Sequence, residues 1–180
     1  MTKTNKTKLW AATAIAALSL GSGAAMAADQ GFYIGGDLAK ARQSVDGGAL
    51  KRNSDSYGVF GGYRFNSNWA VEAAYTDLGK VQGSAIEAKT KTYSLDGIAR
   101  APLGKDFGLY GRVGVAHYER DFTGAGDASA NGLKLGVGVD YALTQNLALR
   151  TELTRYNNLP TSYGLGKSVD RLGVGLSYQF

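Results

Sequence analysis

From Asp170 to Phe180 the chain alternates without a break. Leu172, Val174, Leu176, Tyr178 and Phe180 take every second position, and Arg171, Gly173, Gly175, Ser177 and Gln179 fill the gaps. Successive side chains of a β-strand point to opposite faces, so this segment reads as a strand with one apolar face and one polar or empty face. The same period of two recurs upstream. Strands are expected at 31–41, 55–65, 69–78, 91–102, 108–119, 132–143, 147–157 and 168–180. A glycine count of 26, only 2 prolines and 11 tyrosines suit a chain of many strands.

The connections alternate in length. Asn66-Ser67-Asn68, Leu103 to Phe107 and Thr144-Gln145-Asn146 are tight turns, whereas 42–54, 79–90, 120–131 and 158–167 are longer and rich in Gly, Ser, Asn, Lys and Asp. Eight strands joined by three turns and four loops put both chain ends on the turn side. One hairpin recurs: Tyr63 to Glu72 matches Tyr141 to Arg150 in its aromatic, its polar turn, its central alanine and its closing charge. We read the repeat as one geometric problem solved twice.

The amino terminus has the three parts of a secretory signal peptide: Lys3, Lys6 and Lys8 without an acid, an apolar run from Leu9 to Leu20, and the small-x-small site Ala25-Met26-Ala27. Cleavage is expected before Ala28, leaving 28–180 as one domain. That cut removes three lysines and no acid, lowering the formal charge from +5 to +2. Most of the basic character therefore belongs to the leader, and a nucleic-acid partner loses its support. No cysteine is present, which excludes disulfides and thiolate ligands. No segment after the leader has the roughly 18 apolar residues of a spanning helix. A membrane span could only be a strand of a closed barrel, because lipid offers no partner for an open backbone edge.

The two faces of the strands support that option. The apolar parity carries Tyr57, Val59, Tyr63 and Phe65, then Trp69, Val71, Ala73 and Tyr75, then Leu133 through Leu143 at every second residue. No charge falls in the middle of these faces. A Lys or Arg at the bilayer midplane would cost about 2–4 kcal/mol. Aromatics gather at the strand ends, with Tyr63, Phe65, Trp69, Phe107, Tyr141 and Phe180 by the turns and Tyr57, Tyr75 and Tyr93 towards the loops. The opposite parity holds the charges. Counting from the turns sets Asp37, Glu72, Arg100, Arg112, Asp140 and Arg150 at one depth, with Asp96, Lys134, Glu152 and Arg171 nearer the loops. An eight-stranded barrel is just wide enough for its side chains to fill. Five acids and five bases there are expected to form an ion-pair plug.

A chain closing on an aromatic strand of this kind resembles bacterial outer-membrane barrels. The likeness implies that Leu176, Tyr178 and Phe180 act as the signal read by the barrel-assembly machinery. Asn66 to Gly79, Leu95 to Tyr118 and Leu135 to Asn158 resemble the transmembrane domain of the OmpA family. The resemblance implies an all-β, eight-stranded antiparallel up-and-down transmembrane barrel in the outer membrane, with turns in the periplasm and loops outside. It also implies that Glu72, Arg100, Asp140 and Arg150 are lumen ion pairs that close the barrel. This chain has Arg100 where the family has Lys, and Asp140 where it has Glu. The peptidoglycan-binding domain of full-length OmpA is not expected, because the chain stops at Phe180.

Other motifs carry less. Gly136-Val-Gly138 and Gly173-Val-Gly175 look like phosphate-loop fragments but open no helix. The single histidine, His117, excludes a histidine-rich metal site, and neither metal nor cofactor is expected. His117 lies on the outward face, as in lipid A-modifying barrel enzymes, but His117-Tyr118-Glu119 lacks the serine of their H-x-S pattern. The expected function is a structural barrel with at most a narrow, gated, porin-like conductance. The alternative is a surface adhesin, or a barrel that interacts with host molecules or lipopolysaccharide. A lipid A-modifying enzyme is a remote third. Expected partners are outer-membrane lipid, lipopolysaccharide and the assembly machinery, and the expected state is a monomer. Loop bases such as Arg42, Lys89 and Lys91 could meet lipopolysaccharide phosphates.

Overall fold

The computed structural model describes residues 30–45, 51–82, 87–122, 126–159 and 165–180; the expected signal peptide and the middles of the long connections lie outside them. The chain forms eight strands: β1 Gly31–Val45, β2 Lys51–Arg64, β3 Trp69–Gln82, β4 Glu87–Pro102, β5 Phe107–Phe122, β6 Gly126–Ala142, β7 Leu147–Asn157 and β8 Leu165–Gln179. Each pairs antiparallel with its chain neighbour, and β8 pairs with β1 to close an up-and-down barrel. Closure leaves no edge along the paired length, the condition lipid imposes.

The turn ends of the strands fall close to the positions read from the alternation. The loop ends do not. The strands run on to Val45, Gln82, Phe122 and back to Gly126, through residues whose polarity suggests loop. Polar strand extensions satisfy their ladder hydrogen bonds in pairs, as at Arg120↔Ala128 and Lys91↔Glu119, whatever side chains they carry. β7 is the exception. It stops at Asn157, and Asn158 follows with φ 62°, a left-handed conformation that asparagine tolerates.

The recurring hairpin has a local cause. Asn66 Oδ1 accepts from the amides of Asn68 and Trp69, both at 2.9 Å, and the aligned Thr144 Oγ1 accepts from those of Asn146 and Leu147 at 3.3 and 3.0 Å. A short side-chain acceptor at one position thus turns both hairpins. At the loop end of the barrel a bulge interrupts β3 between Asp77 and Lys80. The Asp77 carboxylate accepts from the Gly79 amide at 2.9 Å and from Tyr57 Oη at 3.1 Å. Gly79 sits at φ +82°, where other residues are strained. Lys89 Nζ lies 3.0 Å from Asp77, whose hydrogen bond and charge hold that ammonium above the ordinary lysine range.

The outer wall is a belt of exposed apolar side chains, including Leu38, Val59, Leu95, Val115, Val137, Leu153 and Leu172. So much contiguous apolar surface is incompatible with water and is what a bilayer requires. Aromatic rings rim its turn end, with centroids 4.8 Å apart for Phe32–Tyr63, 4.7 Å for Phe107–Tyr141 and 5.3 Å for Tyr178–Phe180. Tyr75 and Tyr93, 5.3 Å apart, mark part of the loop end.

Candidate functional site: the closed lumen

Inward parity brings the charges together. Glu72 is 1 % exposed and accepts three hydrogen bonds: from Tyr33 Oη at 3.0 Å, Arg112 at 2.8 Å and Arg150 at 2.9 Å. Arg112 also reaches Glu152 at 2.8 Å and Asp96 at 3.2 Å. Lys134 Nζ completes the group, 2.7 Å from Asp96 and 3.0 Å from Ser94 Oγ. Three carboxylates and three cations therefore form one balanced cluster across β3 to β7. A buried charge is tolerable only when it is paired; all six are, although Asp96 Oδ1 and Arg112 Nε find no hydrogen-bond partner among the described residues.

The other four expected charges stand apart from that cluster. Arg100 grips Asp140 with Nε and Nη2, at 3.0 and 2.7 Å, towards the turn end. Arg171 on β8 pairs with Asp37 on β1 and donates to Ser56 Oγ at 2.9 Å. All ten residues expected in the lumen are thus there and paired, but not as two tiers. Arg112 bridges acids assigned to both depths, because the stagger of the strands mixes them. Glu72 with Arg150 and Arg100 with Asp140 are likewise two separate pairs, not one four-membered unit.

Aromatic side chains hold the cluster in place. Tyr33 and Tyr110 lie across their register partners Gly62 and Gly138 and donate to Glu72 and Glu152, the latter at 2.8 Å. A Cβ on Gly62 would come 2.6 Å from the Tyr33 ring, and one on Gly138 2.5 Å from that of Tyr110. The Arg150 guanidinium is stacked 4.6 Å from the Phe60 centroid and 4.9 Å from that of Tyr110. Nearer the turns, Arg64 donates to Gln179 at 2.8 Å. Reading only charges on the inner face passes over Tyr33, Phe60 and Tyr110. Their signal is an inward aromatic facing a glycine on the next strand.

Above the charges an apolar cluster lies beside a buried arginine, Arg120, whose Nε donates to Thr90 Oγ1 at 3.0 Å. Ala41, Leu78, Ala116, Tyr118, Tyr156, Leu159 and Val169 pack into one cluster, each at most 3 % exposed. Tyr118 Oη donates to the Asn157 carbonyl at 3.0 Å, and its ring meets Tyr156 edge-on at 6.3 Å. This second layer follows from the parity of Tyr118, Tyr156 and Val169, but nothing in the residue types alone announces it.

The terminal residues are on the wall. Leu176, Tyr178 and Phe180 all face outward, and the Phe180 amide donates to the Phe32 carbonyl at 2.9 Å across the β1–β8 seam. His117 also faces outward, with Nδ1 2.7 Å from Asn131 Oδ1 and Glu119, not serine, two residues on. Gly136 to Gly138 and Gly173 to Gly175 lie within β6 and β8. Among the described residues no group of three metal-ligating side chains forms.

The comparisons agree with this architecture. The family described as the outer membrane protein beta-barrel domain matches residues 13–180. Outer membrane protein P5 of Haemophilus influenzae is 31 % identical over 192 aligned residues, covering 87 % of this chain and 52 % of that protein. Outer membrane protein A of Yersinia pseudotuberculosis is 28 % identical, covering 84 % of this chain and 49 % of its own length. The chain spans about half the length of these curated relatives. Among solved structures, Neisserial surface protein A superposes with a TM-score of 0.71 at 21 % identity, over 83 % of this chain and 97 % of that one, and so shares the fold. A closed eight-stranded barrel with an apolar belt, matched by this family over most of its length, belongs to the outer membrane protein β-barrel domain family, alongside the barrel portions of OmpA and P5, and resides in the outer membrane.

Proposed function

We propose that the chain serves the outer membrane as a structural barrel whose lumen is shut by two stacked layers, with no catalytic role. The polar layer centres on Glu72, and the apolar layer on Tyr118 and Tyr156. The observation that carries the reading is the closure of Glu72 by Arg112 and Arg150 beneath a second, apolar seal. An ion cluster alone could rearrange to admit water and ions, whereas the apolar side chains packed beside Arg120 in the upper layer resist wetting. Any porin-like conductance therefore requires both layers to move. The reading is tested by planar-bilayer recording of Arg150→Ala, of Tyr118→Ala with Tyr156→Ala, and of all three changes together. Arg150→Ala alone is expected to leave the barrel nearly closed, and the triple variant to conduct. Steady large conductance from the unaltered chain would defeat this reading. Specific binding to host cells or matrix, lost when the outer hairpin ends are shortened with the barrel still folded, would favour the adhesin reading instead.

A further inference from the structure

The loop-side rim of the outer wall is not uniform. On β2 to β5 it carries Tyr57, Tyr75, Tyr93 and His117, amphipathic rings of the kind that sit at headgroup level. On β1, β8 and β7 the described residues put no outward aromatic at that end. They put charges there instead. Arg42 faces Asp170, and Asp170 faces Arg155, in one row across the three strands. One step closer to the belt, Lys40 faces Asp55 on one side and Leu172 on the other. Leu172 continues the row through Leu153 to Val137.

These residues enclose a groove of about 810 Å³ on the wall, with cations along its upper rim and leucine and valine along its floor. Asp170 holds Arg155 bidentately, with Nε and Nη2 donating at 2.6 and 2.8 Å, which fixes the guanidinium at the rim. Lys40 is ion-paired with Asp55. Arg42 is exposed and makes no ion pair among the described residues. Three cations against two carboxylates leave the rim net positive.

We infer that this β1–β8–β7 face is a docking site for a phosphate-bearing lipid of the outer leaflet, its acyl chain lying on Leu153 and Leu172 and its phosphate against Lys40, Arg42 and Arg155. Charge complementarity and position together select this occupant. Cations at the top of a lipid-facing apolar wall meet the headgroup plane, where charge-assisted hydrogen bonds to phosphate are strong. Long basic side chains can also keep their stems on the apolar wall while their heads reach that plane. A free anion would use the rim but leave the apolar floor idle.

The inference rests on the loop ends facing outward. Binding in detergent micelles has no such requirement, so the two can fail separately. The full chain, folded in micelles, is titrated with bisphosphorylated lipid A and with the same lipid dephosphorylated. Each cation removed is expected to weaken binding of the phosphorylated lipid by about fivefold, first in Arg42→Gln and cumulatively in Lys40→Gln with Arg42→Gln and Arg155→Gln. Dephosphorylation should match the triple loss. Lys105→Gln, on an exposed turn at the opposite end, should change nothing. Each variant's fold is checked by circular dichroism, and the single Arg42→Gln change keeps the test open if the triple variant does not fold. Equal affinity of the triple variant and the parent would overturn the inference. So would indifference to the phosphates, equal weakening by Lys105→Gln, or displacement of the lipid by millimolar inorganic phosphate.

Discussion

Glu72 makes three hydrogen bonds to groups on β1, β5 and β7, so no single partner accounts for its place in the barrel. Removing one member of a buried pair typically costs about 3–5 kcal/mol, because the other keeps its charge uncompensated. Glu72→Ala and Arg150→Ala should each lower the melting temperature in detergent. The double variant should lose less than the two losses added. Additive losses would show that the contact at 2.9 Å carries no coupling. The glycines opposite the tyrosines allow a second prediction. Gly138→Ala puts a methyl 2.5 Å from both the Tyr110 ring and the Thr151 carbonyl and should cost about 1–3 kcal/mol, as overpacking does. Gly111→Ala, whose methyl would meet the Gly136 carbonyl at 3.9 Å, should cost far less in the same unfolding assay. The charged residues of the lumen were legible because parity alone decides which way a strand residue points. Their partners were not. Pairing depends on the stagger between strands, which no single strand encodes, and so Arg112 joins Glu72 to Asp96 and Glu152 across depths that sequence counting separates.

At the scale of the element, the strands divide into a well-specified end and a poorly specified one. By the turns, aromatic residues, short polar turns and the acceptors Asn66 and Thr144 define boundaries that can be read from residue types. By the loops, the alternation gives way to mixed polar residues, and backbone pairing alone carries the strands onward to Gln82 and Phe122. The β3 bulge lies in that second region. Gly79→Ala forces a side chain onto a φ of +82° and should destabilise the β2–β3–β4 wall. Hydrogen exchange should locate the loss at the amides around Asp77, with those of β7 unchanged. Protection lost evenly around the barrel would mean that the bulge is not a local device. β8 gives the other prediction at this scale. Phe180 is pinned to Phe32 at the seam, so its deletion should slow barrel closure and leave more unfolded chain in a refolding assay. Refolding at the parental rate would show that the seam closes without this contact.

For the whole molecule, the odd and even connections set the orientation. The barrel's first and last strands both meet the short turns at one end, and the strand extensions stand at the other. The two ends also differ in chemistry. The turn end is ringed by Phe32, Tyr63, Phe107, Tyr141 and Phe180 immediately beside short polar turns, which places it at one membrane boundary. Beyond the apolar belt at the other end lie paired polar segments, whose residues such as Glu119 and Ser129 are exposed. In outer-membrane barrels the short turns face the periplasm and the longer connections the outside. The chain has no cysteine, so single introduced thiols report accessibility without background. Glu119→Cys is expected to react with a membrane-impermeant maleimide on intact cells. Ser67→Cys and Gln145→Cys, in two of the turns, are expected to react only after the outer membrane is permeabilised. Labelling of the turn cysteines on intact cells, with Glu119→Cys protected, would reverse the orientation and place the cationic rim of β1, β8 and β7 in the periplasmic leaflet.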